Sequence, residues 1–239
     1  MRTALLVSFF SIVLVWPRAI HAEEVWRITS LYWPPYSGAQ LDSGGSSMQR
    51  LRQALEPFGI KLQVDYLPWA RARMVARRGD YIGYFPAWPE EVDDGFTASV
   101  PVDWSSVAVM VRKKSGLESG KLSEIFRHRV GLVKTYDYPL SVAAQALRRP
   151  HNVDRTPDDE LLYKKLSEGR IDAAITDPAV MRHMAAESGA RDVEVLRILE
   201  RRPLVIAFRD LPGTQRRLRL LKEAMERLKG AGLSLTAPN

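Results

Sequence analysis

The sequence predicts an α/β fold made of two lobes that are joined by a two-strand hinge. Short apolar runs alternate with amphipathic segments along most of the chain, a pattern typical of α/β folds with largely parallel strands. This alternation forms two successive series, and similar apolar, β-like segments at 107–111 and 204–208 flank the second one. With 239 residues, the chain is long enough for two small domains.

The first series contains the elements of one lobe. Its apolar spacing predicts strands at 25–31, 61–66 and 80–85 and helices at 47–58 and 69–78, with Gly59 ending the first helix. The second series predicts strands at 130–134, 171–175 and 193–199 and helices at 140–147, 158–168 and 179–187. A strand at 204–208 and a basic amphipathic helix at 213–228 follow.

The two similar apolar segments define the expected domain boundaries. We expect 108–111 and 204–208 to be the hinge crossings. Residues 23–111 and 204–239 then form lobe 1, which is discontinuous in sequence, and residues 112–203 form lobe 2.

The N-terminus indicates export. Arg2 is followed by an apolar run at 4–16, which is shorter than the ~20 residues of a membrane-spanning helix, and a small residue stands at Ala22. We predict a signal peptide at 1–22 and a periplasmic protein that begins at Glu23; an uncleaved anchor is the alternative. The chain has no cysteine, which excludes disulfides and a lipid attached at the cleavage point, so we expect a freely diffusing monomer.

The charge does not indicate a nucleic-acid partner. The formal net charge is +7, from 35 basic and 28 acidic residues. The basic residues are interleaved with acidic ones, and no long block of like charge or nucleic-acid-binding motif is present. We interpret the excess as a solvated basic surface.

The loops that follow strands are the expected place for a ligand, because α/β sheets bind ligands at the carboxyl ends of their strands. In this chain they are 32–46, 67–69, 86–95, 134–139 and 176–178. Aromatic side chains in or beside these loops suit a cleft that desolvates an organic ligand or stacks on a cation. The aromatic candidates are Tyr32, Tyr36, Trp69, Trp88 and Tyr136. The alternative for each aromatic side chain in these loops is that it packs in the core of its own lobe. Among them, Trp33 is the one that we most expect to be a core residue.

Polar candidates lie in the same loops. Asp177 ends a strand and precedes Pro178, a position that also suits a helix N-cap. Glu91 is one of two adjacent glutamates, for which a solvated acidic turn is the alternative. Thr135 lies in the first strand-to-helix turn of the second series.

Three stretches, LYWPPYSG, LPWARARMVARRGDYIGYFP and GRIDAAITDPAV, resemble the bacterial extracellular solute-binding proteins that serve polar amino acid uptake. The resemblance covers essentially the whole chain after residue 22. It implies two lobes that close on a small-molecule ligand, and a partner that is the membrane permease of an ABC transporter. It also implies that Asp177 accepts a hydrogen bond from a ligand amino group.

Two departures from that family bear on the ligand. Its amino-acid-binding members typically carry Thr-Pro-Glu-Arg after the third strand, and that arginine grips the ligand carboxylate. Here the segment is AWPEEV, so Glu91 or Val92 stands at the arginine position. The segment KTYDYP, which contains Thr135, replaces a glycine-rich turn that would bind an anion. We therefore expect an amine-bearing or otherwise polar organic ligand. The alternative is that Arg71 or Lys134 replaces the missing arginine and binds a ligand carboxylate.

Enzyme motifs are not found in the sequence. There is no GxSxG, P-loop or HExxH motif, no cysteine nucleophile, and no metal-ligand spacing among the four histidines. We expect a binding protein without cofactor or metal. The alternatives are a ligand-sensing partner of a membrane sensor kinase and a dehydratase derived from the same fold.

Overall fold

This computed structural model describes residues 24–190 and 192–232, which form nine β-strands, seven α-helices and four short 3-10 helices. The signal peptide predicted at 1–22 lies outside the described residues. Within them, no helix is both long enough and apolar enough to span a bilayer.

The first half of the fold, which is formed by the N-terminal residues, has a mainly parallel sheet. Strand β1 pairs in parallel with both β2 and β3, and β4 is a short strand that had not been predicted. Its elements are β1 (Glu24–Ser30), α1 (Ser46–Leu55), β2 (Ile60–Tyr66), α2 (Trp69–Val75), β3 (Gly83–Ala87) and β4 (Phe96–Ala98).

The second half repeats this alternation. Strand β6 pairs in parallel with β7 and β8, and β8 pairs antiparallel with β5. Its elements are β5 (Asp103–Arg112), α3 (Leu122–Ile125), β6 (Val130–Val133), α4 (Leu140–Arg148), β7 (Val153–Thr156), α5 (Asp159–Ser167), β8 (Ala173–Thr176) and α6 (Pro178–Glu187). Strand β7 and the short helix α3 had not been predicted.

One long strand joins the two halves. Strand β9 (Val193–Arg209) pairs with β5 from Val193 to Leu204, and from Val205 onward it pairs with β3 and β4 of the first half. Helix α7 (Thr214–Gly230) follows and packs against α1. The chain therefore returns to the first half at its C-terminal end.

The strands near the expected hinge differ from the prediction. The separate strands expected at 193–199 and 204–208 are one strand, because the polar residues between them pair with β5. Residues 108–111 pair with β8. The strand partners change at 99–102 and, within β9, at the step from Leu204 to Val205.

Both halves have apolar cores. Trp26 is fully buried in the first half, where its ring meets that of Phe208 edge-on at 5.3 Å. In the second half, Leu162 of α5 and Met181 of α6 are also fully buried. Burial of side chains of this size contributes roughly 1.5–3 kcal/mol each, which holds the helices to the sheets and fixes the loops at the strand ends.

The close approach of β3 to β9 requires a glycine at position 83. A Cβ atom there would lie 2.1 Å from the carbonyl oxygen of Ala207, a backbone atom that cannot move independently. We expect Gly83→Ala to lower the free energy of unfolding by at least about 2 kcal/mol, as overpacking does, measured by urea denaturation.

Gly230→Ala is the matched control. A Cβ atom there has no neighbour within 4 Å, and alanine at a helical position is neutral or favourable. Equal unfolding midpoints for the two variants would contradict the packing of β3 on β9.

Candidate functional site

The ends of the parallel strands bring five loops of the two halves together. Strands β1, β2 and β3 end at Ser30, Tyr66 and Ala87 in the first half, and β6 and β8 end at Val133 and Thr176 in the second. Side chains from the loops after these strands contact one another across the halves, as Tyr36 does with Asp177 and Trp88 with Tyr136.

The loop after β1 makes two hydrogen bonds to buried carboxylates of the second half. A bridge between Trp33 and Ser37 makes the loop compact, and the rings of Trp33 and Tyr36 lie 4.7 Å apart. The Nε1 of Trp33 donates to Asp159 at 3.1 Å, and the hydroxyl of Tyr36 donates to Asp177 at 3.0 Å. These bonds hold the two halves in register at the site.

Asp177 already has four donors. It caps α6 by accepting bonds from the backbone N–H groups of Ala179 (2.7 Å) and Val180 (3.1 Å), and it also accepts from Ser106 N at 2.8 Å and from Tyr36. A carboxylate has about four lone-pair sites. Burial raises the pKa of Asp177 to about 6, against which these hydrogen bonds act. A ligand amino group at Asp177 would therefore have to displace the Tyr36 hydroxyl.

Asp159 is a second buried carboxylate of this region. It accepts hydrogen bonds from Trp33, from the Tyr136 hydroxyl at 2.6 Å and from the Thr176 hydroxyl. Burial raises its pKa despite these donors. Asp159 thus anchors aromatic side chains from both halves.

Glu91 is a buried carboxylate among indole rings. It accepts bonds from the backbone N–H of Trp88 at 3.1 Å and from Trp69 Nε1 at 3.3 Å. Burial raises the pKa of Glu91 to about 7. The alternative, a solvated acidic side chain in this turn, applies to Glu90 and not to Glu91. The Glu90 side chain is 55% exposed and lies 3.7 Å from Arg202.

Two adjoining spaces lie between the halves. We call the inner one the cavity: it has a volume of about 10 Å³, enough for one water-sized group, and Glu91 is its one charged lining residue. Its lining consists of Leu31, Trp33, Trp69, Pro86, Trp88, Glu91, Tyr136 and Leu204.

The outer space, which we call the groove, has a volume of about 630 Å³. Leu31, Trp69 and Tyr136 line both the groove and the cavity, so the two spaces adjoin. The hydroxyl oxygen of Thr135, another lining residue, is buried and has no hydrogen-bond partner in the described part of the chain. Buried polar atoms without a partner are uncommon and call for an explanation.

The lining of both spaces is acidic. It includes Glu91 in the cavity and Asp158, Asp159 and Glu160 in the groove, and no lysine, arginine or histidine is among these lining residues. Arg71 and Lys134, which the sequence offered as alternative cations, do not line either space.

Two arginines near the cavity are engaged by carboxylates of the protein. Arg73 pairs with Asp93 at 2.5 Å. Arg202 lies 4.7 Å from the ring centre of Trp88, is 6% exposed and pairs with Glu200. Neither guanidinium lines the cavity or the groove.

The eight predicted site residues fall into four groups. Trp69 and Tyr136 line both spaces, Trp88 and Glu91 line the cavity only, and Tyr32 and Thr135 line the groove only. Tyr36 and Asp177 line neither of these spaces and are bonded to each other.

The sequence interpretation missed some lining residues. Trp33 is buried, as expected of a core residue, yet it also lines the cavity. Asp158, Asp159 and Glu160 were not candidates because β7 had not been recognised, and they directly follow the loop after that strand. Recognising 153–156 as a strand would have marked them by the same rule as the others.

Comparisons with known proteins support the fold but do not define a family. No protein-family model matches the chain, and no curated protein sequence matches it. Many solved structures are similar in fold. One is an ancestral arginine-binding protein bound to arginine, with a TM-score of 0.73 and 19% identity, covering 89% of this chain and 95% of that one.

Two further structures are similar in fold. A histidine kinase sensor domain that resembles periplasmic binding proteins has a TM-score of 0.75 and 15% identity, and covers 88% of this chain and 93% of that one. An ancestral amino acid-binding protein, a precursor of cyclohexadienyl dehydratase, has a TM-score of 0.67 and 15% identity, covering 87% and 91%. The chain therefore has the two-lobed α/β fold of periplasmic binding proteins.

Glu91 predicts a pH dependence of stability. Because its pKa rises from the usual 4.5 to about 7 on folding, the folded chain binds more protons than the unfolded chain between these values. Stability then falls as the pH rises through this window, by up to about 3 kcal/mol at about 1.4 kcal/mol per pKa unit. We expect Glu91→Gln to remove this part of the fall between pH 5 and pH 8, measured by urea unfolding.

Glu90→Gln is the control, since its side chain is largely exposed. It should retain the pH dependence of the natural sequence, of which Asp177 contributes a part. If Glu91→Gln also retains all of it, Glu91 does not have a raised pKa.

Proposed function

We propose that this protein is a periplasmic solute-binding protein that captures a small amine-bearing organic molecule between its lobes and delivers it to the permease of an ABC transporter. One observation carries the proposal. Loops from both halves enclose a space that has indole and phenol walls, a buried carboxylate and no basic lining residue. The predicted signal peptide at 1–22 and the absence of cysteine in the sequence support a freely diffusing periplasmic monomer.

The strand pairing suggests where the lobes divide. We propose that lobe 1 consists of 24–102 and 205–232 and lobe 2 of 103–204, so that the hinge lies at 99–102 and 204–205. These are the points at which strand partners change from one half to the other. The lobe boundary is then nine residues earlier than the sequence alone suggests, because all of β5 belongs to lobe 2.

The chemistry of the cleft favours a cation over a carboxylate. A cation over an aromatic face gains roughly 0.5–2 kcal/mol, more when it is desolvated. A buried carboxylate without a cation is costly, and a ligand ammonium beside Glu91 would offset that cost. A ligand carboxylate would instead meet Glu91 without an arginine in the lining to bind it.

Two other functions would use the same cleft. Similarity to a histidine kinase sensor domain favours a role as a ligand-sensing partner of a kinase, and a permease or kinase gene beside this one would decide between transport and sensing. Similarity to a dehydratase precursor supports an enzyme alternative. Incubating the protein with the compound that it binds distinguishes an enzyme from a binding protein, because a binding protein returns the compound unchanged.

Native mass spectrometry of the protein purified from its own periplasm tests the proposal. We expect a co-purified amine, and in calorimetric titration weak or no binding of the common α-amino acids. Submicromolar binding of glutamine, arginine or another standard amino acid would contradict the interpretation of the missing arginine.

Trp69→Ala should weaken binding of the co-purified ligand by about 1–3 kcal/mol, since this indole lines both spaces. Trp104→Ala is the control, because Trp104 lies outside both linings and its ring is near Arg201 at 5.5 Å. Circular dichroism of both variants establishes that they fold. Equal affinity of the two variants would place the ligand elsewhere.

A further inference from the structure

The two adjoining spaces differ in size and carry carboxylates at both ends. Resting on the function proposed above, we infer that the ligand is an aliphatic diamine. One ammonium group lies in the cavity against Glu91, the carbon chain passes between Trp69 and Tyr136, and the second ammonium group lies in the groove near Asp158 and Glu160.

The inner end accepts a primary ammonium group. At about 10 Å³ the cavity holds one water-sized group, which fits –NH₃⁺ but not a trimethylated nitrogen. Glu91 accepts two hydrogen bonds from the protein, so about two of its lone-pair sites are left for a donor from the ligand. The indoles of Trp33 and Trp88 complete the cavity walls and provide aromatic surface beside the charge.

The boundary between the cavity and the groove suits the methylene groups of the ligand. Leu31, Trp69 and Tyr136 line the boundary between the two spaces. The hydroxyl of Tyr136 already donates to Asp159, and Trp69 Nε1 donates to Glu91, so neither side chain has a donor left for a polar ligand group. An aliphatic chain requires only their apolar surfaces.

The outer end offers acceptors. Asp158 uses Oδ1 to accept the N–H of Leu161, and Glu160 is exposed in the groove lining. The buried hydroxyl of Thr135 lacks a partner among the described residues, and its lone pairs would accept a hydrogen bond from an ammonium group, which is a donor only. This hydroxyl is an acceptor independent of the carboxylates, and it belongs to a residue that lines the groove.

The acidic lining of the two spaces argues against an ω-amino acid of the same length as the ligand. An ω-amino acid has a carboxylate at one end, which would face either Glu91 or the acidic groove. Arg73 and Arg202, the two cations described beside the cavity, already pair with Asp93 and Glu200. A diamine places a cation at both ends and avoids this repulsion.

Calorimetric titration of the purified full-length protein at pH 8 tests the inference. The probes are α,ω-diaminoalkanes of three to eight carbons, each compared with the monoamine and the ω-amino acid of the same length. We expect affinity to peak at one or two chain lengths, the matched monoamine to bind at least tenfold more weakly, and the ω-amino acid not to bind. Equal affinity of diamine and monoamine would overturn the two-ended site.

Two variants test which carboxylate binds each ammonium group of the diamine. Glu160→Gln should weaken diamine binding at least tenfold and leave monoamine binding unchanged, whereas Glu91→Gln should weaken both. Glu226→Gln, an exposed glutamate of α7 outside both linings, is the control and should change neither. An equal loss of diamine and monoamine binding in Glu160→Gln contradicts the outer position.

The outcomes separate this inference from the proposed function. If no diamine binds and native mass spectrometry finds a different small molecule, the diamine assignment is wrong and the solute-binding function stands. If neither diamines nor any co-purified compound binds, the solute-binding function is wrong as well.

Discussion

The pairing of β9 on both halves is the constraint on which the rest of the structure depends. Seventeen residues run without a break from β5 at one end to β3 and β4 at the other. Because β9 is hydrogen-bonded in both sheets, its register fixes where the carboxyl ends of β1, β2 and β3 stand relative to those of β6 and β8. The candidate site lies where these ends face each other.

The hydrogen bonds across the site follow from this arrangement. Trp33 and Tyr36 come from a loop after β1, and each finds a buried carboxylate of the second half, Asp159 or Asp177. A buried charge is costly unless it is hydrogen-bonded. Asp177 has four donors, including the backbone N–H groups at the start of α6, and this explains why an acidic residue is tolerated there. Glu91 has only two, so it is the carboxylate with most to gain from a ligand cation.

Most elements of the fold could be predicted from the sequence pattern, because each helix buries one face and the central strands β3, β6 and β8 are short runs that are buried throughout. Helices α1, α4 and α7 begin within one residue of their predicted starts. The errors occur where burial does not produce a pattern. Strand β7 has one fully buried residue, Thr156, among partly exposed ones, and β4 has three residues in all.

The long strand β9 was divided in the prediction because Glu200, Arg201 and Arg202 interrupt its apolar pattern. In the structure these polar residues pair with β5, and Arg202 is buried over Trp88. No local sequence signal shows that an arginine will be stacked on an indole from another element. The same limit applies to the candidate site. The rule of strand ends predicts which loops to consider, but which side chains bond to each other, as Tyr36 and Asp177 do, depends on tertiary packing.

The sign of the charge in the cleft is opposite to that of the whole chain. The formal net charge is +7, yet the charged residues that line the two spaces are acidic. Exposed charges farther away than about 8–10 Å are largely screened at physiological salt, so the basic surface contributes little inside the cleft. The two arginines described near the cavity are paired, Arg73 with Asp93 and Arg202 with Glu200. The carboxylates in the lining, above all the buried Glu91, therefore set the sign of the local charge, which is the basis for proposing a cationic ligand.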